Sequence, residues 1–325
     1  MLPDLPQPGR SSFGAWVADE RLYVVGGHIN QTHHYAADNF TDRGDVFALA
    51  DSQWLPSPAL PPRPRASQGF ALVGRGQYLY AIGGLVHHEY EPGQSDEQTY
   101  QSTAAIDRFD LASGAWTTVA QLNQARSSYV AGVVGSTAYL LGGWYADPRE
   151  GLAGGRFLDT VEAFDLETEK AAMTGFTLPA PLRRACGSVT VGDEILMVAG
   201  LDDKINPFSL TLSKVLGFQP GSATPWNQDW PDLPDGIFAP GAGYDPSANA
   251  IYAFGGWIGG GSNSNKVFGL DLAKPTAWTE LAPMQSERSF VQPVLIAPGV
   301  FGLLGGAGNP PDSGQQSTLF EEYRV

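Results

Sequence analysis

The sequence predicts an all-β fold built from six repeated units of short strands. Three observations predict it. A short apolar run ending in a small pair recurs six times, at 22–27, 79–84, 139–143, 195–200, 251–256 and 301–306. The pairs begin at 26, 83, 142, 199, 255 and 305, so the successive gaps are 57, 59, 57, 56 and 50. The 40 glycines and 25 prolines lie among apolar runs that recur along the whole chain, a composition of many turns and no long helices. A fixed period of this size marks a repeat architecture in which neighbouring units cover one another's apolar faces.

Each element of the unit has a physical reason. The apolar run, such as Leu22-Tyr23-Val24-Val25, does not alternate strictly, as expected of a strand buried on both faces. The small pair, Gly26-Gly27 in the first unit and Ala199-Gly200 in the fourth, lets the chain leave that strand with positive φ and pack closely where sheets converge. A third strand follows, then a turn, then often a Trp that fills the space between sheets: Trp54, Trp116, Trp226 and Trp278. The third unit, Phe164-Asp165-Leu166, lacks the Trp. An Arg opens most units: Arg10, Arg65, Arg126, Arg183 and Arg288; the fifth lacks it and has Ile237-Phe238 nearby. The last unit ends on a third strand at 319–325. Its fourth strand is expected from the N-terminus, because Leu2-Pro3-Asp4-Leu5-Pro6 repeats Pro231-Asp232-Leu233-Pro234.

These repeated features resemble the Kelch family, in a stand-alone bacterial form, across essentially the whole chain. The resemblance implies a six-bladed Kelch-type β-propeller with four-stranded blades, the sixth completed by the N-terminus, and residues 1–325 as one domain. Only short, protected strand edges would remain.

Composition excludes several function classes. The formal net charge of -15 opposes sequence-independent nucleic-acid binding, which works by neutralising phosphates, and docking on an anionic membrane. A single cysteine, Cys186, rules out an intrachain disulfide and a cysteine zinc site. No apolar run reaches transmembrane length, and the first residues lack the basic and apolar stretches of a signal peptide. The compartment is left open between export after loss of a leader and the cytoplasm. A monomer is expected. Searches for phosphate-binding glycine loops, zinc-protease motifs, nucleophile elbows and C-x-x-C pairs return nothing.

In an up-and-down four-stranded blade, the loops between second and third strands share one face with the links between blades. Those loops, 28–43, 85–104, 144–159, 201–211, 257–265 and 307–317, are the long ones, and long loops on a rigid scaffold carry binding residues. All five histidines fall in the first two: His28, His33, His34, His87 and His88. They are the candidates for acid–base catalysis, and His33, His34, His87 and His88 for a metal. Adjacent His-His pairs do not aim both rings at one ion, so no metal or other cofactor is expected. Tyr35, Trp144, Tyr145 and Trp257 could stack on a ligand. By the resemblance, Arg10, Arg65, Arg126, Arg183 and Arg288 would ring the channel mouth and hold acidic groups of a ligand. The competing reading is that these arginines tie blades together.

Two functions from different classes follow. One is a module binding an acidic or polar ligand (protein, peptide or small molecule). The other is an isomerase resembling a sugar mutarotase or epimerase, with arginines anchoring a carboxylate and loop histidines or acids moving protons. A copper radical oxidase, known in a larger Kelch-like fold, would need Cys186 cross-linked to a tyrosine. A buried, inert thiol is the simpler reading of Cys186.

Overall fold

The computed structural model describes all residues except 1, 32–35, 89–94, 148, 150, 204–210, 260 and 309–314. His33, His34 and Tyr35 therefore lie outside the described residues. The apolar runs become the second strands of six antiparallel meanders. Blade 1 comprises Gly14–Ala18, Arg21–Val25, Gly44–Ala48 and Gln53–Trp54, hydrogen-bonded in that order. Blade 2 comprises Ala71–Arg75, Tyr78–Ile82, Ala105–Asp110 and Ala115–Gln121. Blade 3 comprises Val130–Val134, Thr137–Leu141, Thr160–Asp165 and Lys170–Thr177. Blade 4 comprises Gly187–Val191, Glu194–Asp202, Thr211–Phe218 and Trp226–Asn227. Blade 5 comprises Gly241–Asp245, Ala250–Phe254, Val267–Asp271 and Thr279–Glu280. Blade 6 contributes Gln292–Ala297, Val300–Leu304 and Phe320–Arg324. First strands of successive blades touch in chain order, and that of blade 6 returns to blade 1. The ring is closed.

The core lies between blades. Phe109 and Trp116 of blade 2 pack with Tyr23, Val25 and Val46 of blade 1, and Trp54 of blade 1 lies against Phe320 of blade 6. The small pairs behave as their positive φ values demand. Gly26, Gly83, Gly142, Gly255 and Gly305 have φ between 54° and 65°, and Ala199 takes 60° at the same place. The second glycines reach the next blade. Gly27, Gly84 and Gly256 donate to the carbonyls of Ser67, Arg126 and Arg288, each at 2.9 Å. Gly306 donates to Arg10 at 2.8 Å and so joins blade 6 to blade 1.

The N-terminus lies at the place expected for the fourth strand of blade 6 but forms no strand, so the sheet of blade 6 is three-stranded. Leu122, Leu178, Leu233 and Met284 each donate a backbone N–H to a carbonyl two residues ahead of Ile106, Val161, Val215 and Val267. Leu5 makes the same bond to Thr318, two residues ahead of Phe320. Trp54 Nε1 donates to Pro3 O at 2.9 Å, as Trp278 Nε1 donates to Pro231 O at 2.9 Å. Residues 2–6 form no strand ladder of their own, so the sixth blade is closed by packing and single bonds. Leu5 is buried with Phe13, Leu304 and Phe320. Leu5→Ala is expected to lower unfolding stability by about 2–5 kcal/mol, read from urea denaturation, because it opens a cavity at this seam.

Asp245 joins blades 5 and 6: its Oδ2 accepts from Gly299 N at 2.8 Å, while Oδ1 accepts from Ser247 N and Oγ. Desolvation pushes its pKa up, but these hydrogen bonds outweigh it and leave the carboxyl below the ordinary value. A depressed carboxyl stabilises fully above the unfolded value of about 3.9 and loses that contribution as pH falls through the lower folded value. Acid titration of stability in this window should be flatter in Asp245→Asn than in the wild type.

Candidate functional site

The links between blades build the mouth of the channel. Six equivalent link residues adopt left-handed φ: Ser12, Gly69, Ser128, Ala185, Ala239 and Phe290, between 48° and 61°. Their backbones form a chain of hydrogen bonds: Gly69 N to Ser12 O, Ser128 N to Gly69 O, Ala185 N to Ser128 O, Ala239 N to Ala185 O and Phe290 N to Ala239 O, all 2.7–2.9 Å. Among the described residues, the step from Phe290 back to Ser12 is the one not bridged in this way. One position earlier, each link residue pairs with the residue after a glycine pair: Ser11 with His28, Gln68 with Leu85, Ser127 with Trp144, Arg184 with Leu201, Phe238 with Trp257 and Ser289 with Ala307.

These two tiers surround a cavity of about 230 Å³ on the face of the long loops, lined among others by His28, Gln68, Trp144, Arg184, Phe238 and Phe290. A larger space of about 530 Å³ is lined by the first strands and by Cys186. Loops of adjacent blades are tied together above the mouth. Tyr100 of blade 2 accepts from Ala36 N and Asn39 Nδ2 and donates to Ala36 O. Ser102 donates to Trp144 O, Asn263 Nδ2 to Ala307 O and Gln316 Nε2 to Asn30 O. Segments read from the sequence as open loops form short hairpins, including Leu85–His87 with Tyr100–Ser102 and Trp144–Asp147 with Gly151–Phe157.

Four of the five arginines expected to ring the mouth do not present themselves to a ligand, while Arg65 lines a separate space with Pro64, His87 and Gln101. Arg10, Arg126, Arg183 and Arg288 are buried. Arg10 pairs with Asp45, Arg126 with Glu162 at 3.3 Å and Arg288 with Glu321 at 2.7 Å, each acid standing in the third strand of the blade that the arginine opens. Arg126 and Arg288 also donate to the carbonyls of Gly142 and Gly305, and Arg183 donates to Lys214 O. In blade 2 the equivalent position is Ser67. Arg63 supplies the guanidinium from four residues upstream, donating to Ser67 Oγ and pairing with Asp107 at 3.1 Å. Arg65, half-exposed, also pairs with Asp107 and donates to Thr118 Oγ1. Desolvation lowers the pKa of Arg10, Arg126 and Arg288, opposed by Asp45, Glu162 and Glu321; Arg63 falls to about 10.

Blade 5 solves the same problem without charge: Ile237 and Phe268 occupy the arginine and acid positions, both buried in one cluster. Removing one partner of a buried ion pair strands the other. Arg126→Ala should cost about 3–5 kcal/mol in thermal or urea unfolding. The double change Arg126→Ile with Glu162→Phe, copying blade 5, should recover most of that loss.

The remaining candidates divide. His28 lies at the mouth, with Nδ1 3.1 Å from Gln68 Oε1 and Nε2 3.3 Å from Gln31 O. Trp144 lines it as well. His87 stacks edge-on to Tyr100, and His88 Nε2 lies 3.0 Å from Gln98 O, both in the blade 2 hairpin region. Tyr145 lies under Arg156, with its ring 4.2 Å from the guanidinium carbon, and donates to Asp147. Trp257 pairs with Phe238 and Asn263 behind the lining. Among the described residues no group of three or more His, Cys, Asp or Glu comes together as a metal site. Desolvation pushes the Cys186 thiol up to about 12, which keeps it protonated at neutral pH.

Sequence reading missed Arg184. Its guanidinium lies over the Trp144 ring, 4.2 Å from the centroid, at the mouth itself. The signal was the doublet Arg183-Arg184: the first arginine enters the blade and the second, one position on, reaches the cavity.

A family model for the Kelch motif matches residues 125–170, from the Arg126 link through the third strand of blade 3. The chain carries the Kelch motif. It is 25% identical over 271 residues to Kelch-like protein 35 of Mus musculus, covering 83% of this chain and 39% of that protein. It is 27% identical over 197 residues to Kelch-like protein terF of Aspergillus terreus, covering 59% of this chain and 38% of that one. The chain thus spans about two fifths of the length of these curated relatives. The solved structure titled "Structure of YjhT" superposes with a TM-score of 0.73 over 99% of this chain and 95% of that chain, at 14% identity, which establishes a shared fold.

Proposed function

We propose that this Kelch propeller is a binding module that takes an acidic or polar group of a protein, peptide or small molecule at the channel mouth. The observation that carries the reading is Arg184, a half-exposed arginine held over Trp144 in a cavity reached from the loop face. A guanidinium stacked by its face keeps its in-plane N–H fork directed sideways, the geometry that suits a carboxylate. The scaffold is rigid: the backbone ring fixes the floor, and side-chain bonds between loops fix the rim. Preorganisation of this kind reduces the entropy lost on binding. The names of the Kelch-like relatives are compatible with a module that recognises other molecules and assign this chain no particular one.

The test is a thermal-shift screen of acidic peptides and acidic sugars, each beside its amidated or reduced neutral analogue. A ligand of the folded form at about a hundred times its Kd adds about 2.7 kcal/mol of stability. Acidic members should raise Tm and their neutral analogues should not. Arg184→Gln should keep the wild-type Tm without ligand and weaken acid binding by about ten- to a hundredfold. Equal shifts by acidic and neutral partners would refute the reading.

A further inference from the structure

We propose that the mouth is specific for an aromatic carboxylate, either free or as the C-terminal residue of a peptide. This inference rests on the reading of the mouth as the ligand site and narrows it. It starts from an asymmetry between the two sides of the ring. The links of blades 1 to 3 place Ser12, Gln68 and Ser128 at the cavity, whereas those of blades 4 to 6 place Arg184, Phe238 and Phe290 there.

Phe290 is the informative residue. The six left-handed link positions hold Ser, Gly, Ser, Ala and Ala before reaching this phenylalanine at φ 55°. Positive φ is costly for a bulky side chain, and such strain concentrates where a structure handles ligands. Its ring meets Phe238 at 5.3 Å between centroids and 89° between planes. Both rings are half-buried and both line the cavity. A perpendicular pair forms a corner: a third ring can stack offset on one and meet the other by its edge.

The cation is fixed near this corner. The Trp144 indole packs against Gly155, where there is no room for a Cβ, and Arg184 covers the indole. Arg184 thereby brings a positive charge to the cavity lining, and a guanidinium takes a carboxylate in its plane. Several polar groups that would read a polyhydroxylated acid are already engaged. Asn39 Nδ2 and Tyr100 OH bond each other, Gln68 Oε1 faces His28 Nδ1, and Ser127 Oγ lies 3.4 Å from Trp144 O. About 230 Å³ suits one six-membered ring with its carboxylate, below the range of larger ligands.

Isothermal titration of the full chain decides this, with phenylacetate, benzyl alcohol, glucuronate, and Gly-Gly-Phe with a free or an amidated C-terminus. Saturable binding of phenylacetate is expected if the source is a free acid, and of Gly-Gly-Phe with a free C-terminus if it is a chain end. Benzyl alcohol and the amidated peptide should bind at least about tenfold more weakly. Phe290→Ser, which installs the residue native at positions 12 and 128, should keep Tm and weaken the aromatic acids by about tenfold. Unchanged affinity in Phe290→Ser would overturn the inference. Arg184-dependent binding of glucuronate without binding of either aromatic acid would overturn it while leaving the mouth as a ligand site. No Arg184-dependent binding of any acid would remove both.

Discussion

A two-way stitch holds the junctions entered by Arg10, Arg126 and Arg288, with its backbone half also at Ser67, and the closure of the ring depends on it. The carbonyl of a link residue accepts from the second glycine of the preceding blade, and its side chain enters its own blade to meet a third-strand acid. Arg126 does both, as does Arg288; Arg10 does both across the junction that closes the ring. A strand meander alone could not bury its faces, and the stitch sets the distance at which neighbouring apolar faces meet. Variation among blades shows what is required. The backbone half persists where the arginine is replaced by Ser67, while the side-chain half can be rebuilt by Arg63 or replaced by apolar burial of Ile237 and Phe268 in one cluster. Buried ion pairs and well-packed apolar pairs are near equivalents in stability, so both can occur in one protein.

The fold was legible because its signals are periodic. Glycine pairs, aromatic fourth strands and the echo between Leu2-Pro3-Asp4-Leu5-Pro6 and Pro231-Asp232-Leu233-Pro234 each recur in register, and Leu5 and Leu233 make matching bonds. The site was less legible because the arginines were read apart from the acids they meet. Asp45, Asp107, Glu162 and Glu321 stand at one register position of the third strand, and blades 4 and 5, with Leu216 and Phe268 there, lack the acid. Matching that position against the link would have placed Arg126 inside the blade. Arg184 and Phe290 do not recur in other blades, and a search for repeats passes over residues that break the repeat. The histidines gathered into neighbouring loops, but only His28 of the described ones lines the mouth; His87 and His88 turn to Tyr100 and Gln98 O.

Electrostatics at the mouth works at short range. The chain carries a formal net charge of -15, so an approaching anion meets a repulsive field beyond roughly 10 Å that salt weakens. Arg184 acts inside that distance, beside aromatic surface of low polarizing power, where a single cation counts for more than in bulk water. The buried guanidiniums are paired within their own blades and add little to this local attraction. Discrimination among anions therefore falls to shape and stacking.

Closure of the sixth blade by Leu5 also bears on the order of events at the ribosome. Leu5 emerges roughly three hundred residues before Thr318, its hydrogen-bond partner, and Arg10 precedes Gly306 by almost as much. Blades 2 to 5 can form from contiguous chain as it appears, but Leu5 cannot find its partner until the third strand of blade 6 has been made. Until then the outer edge of the last sheet and the apolar side chain of Leu5 are both exposed. A nascent chain stalled before the third strand of blade 6 would present this pair of unsatisfied surfaces to chaperones or to neighbouring copies.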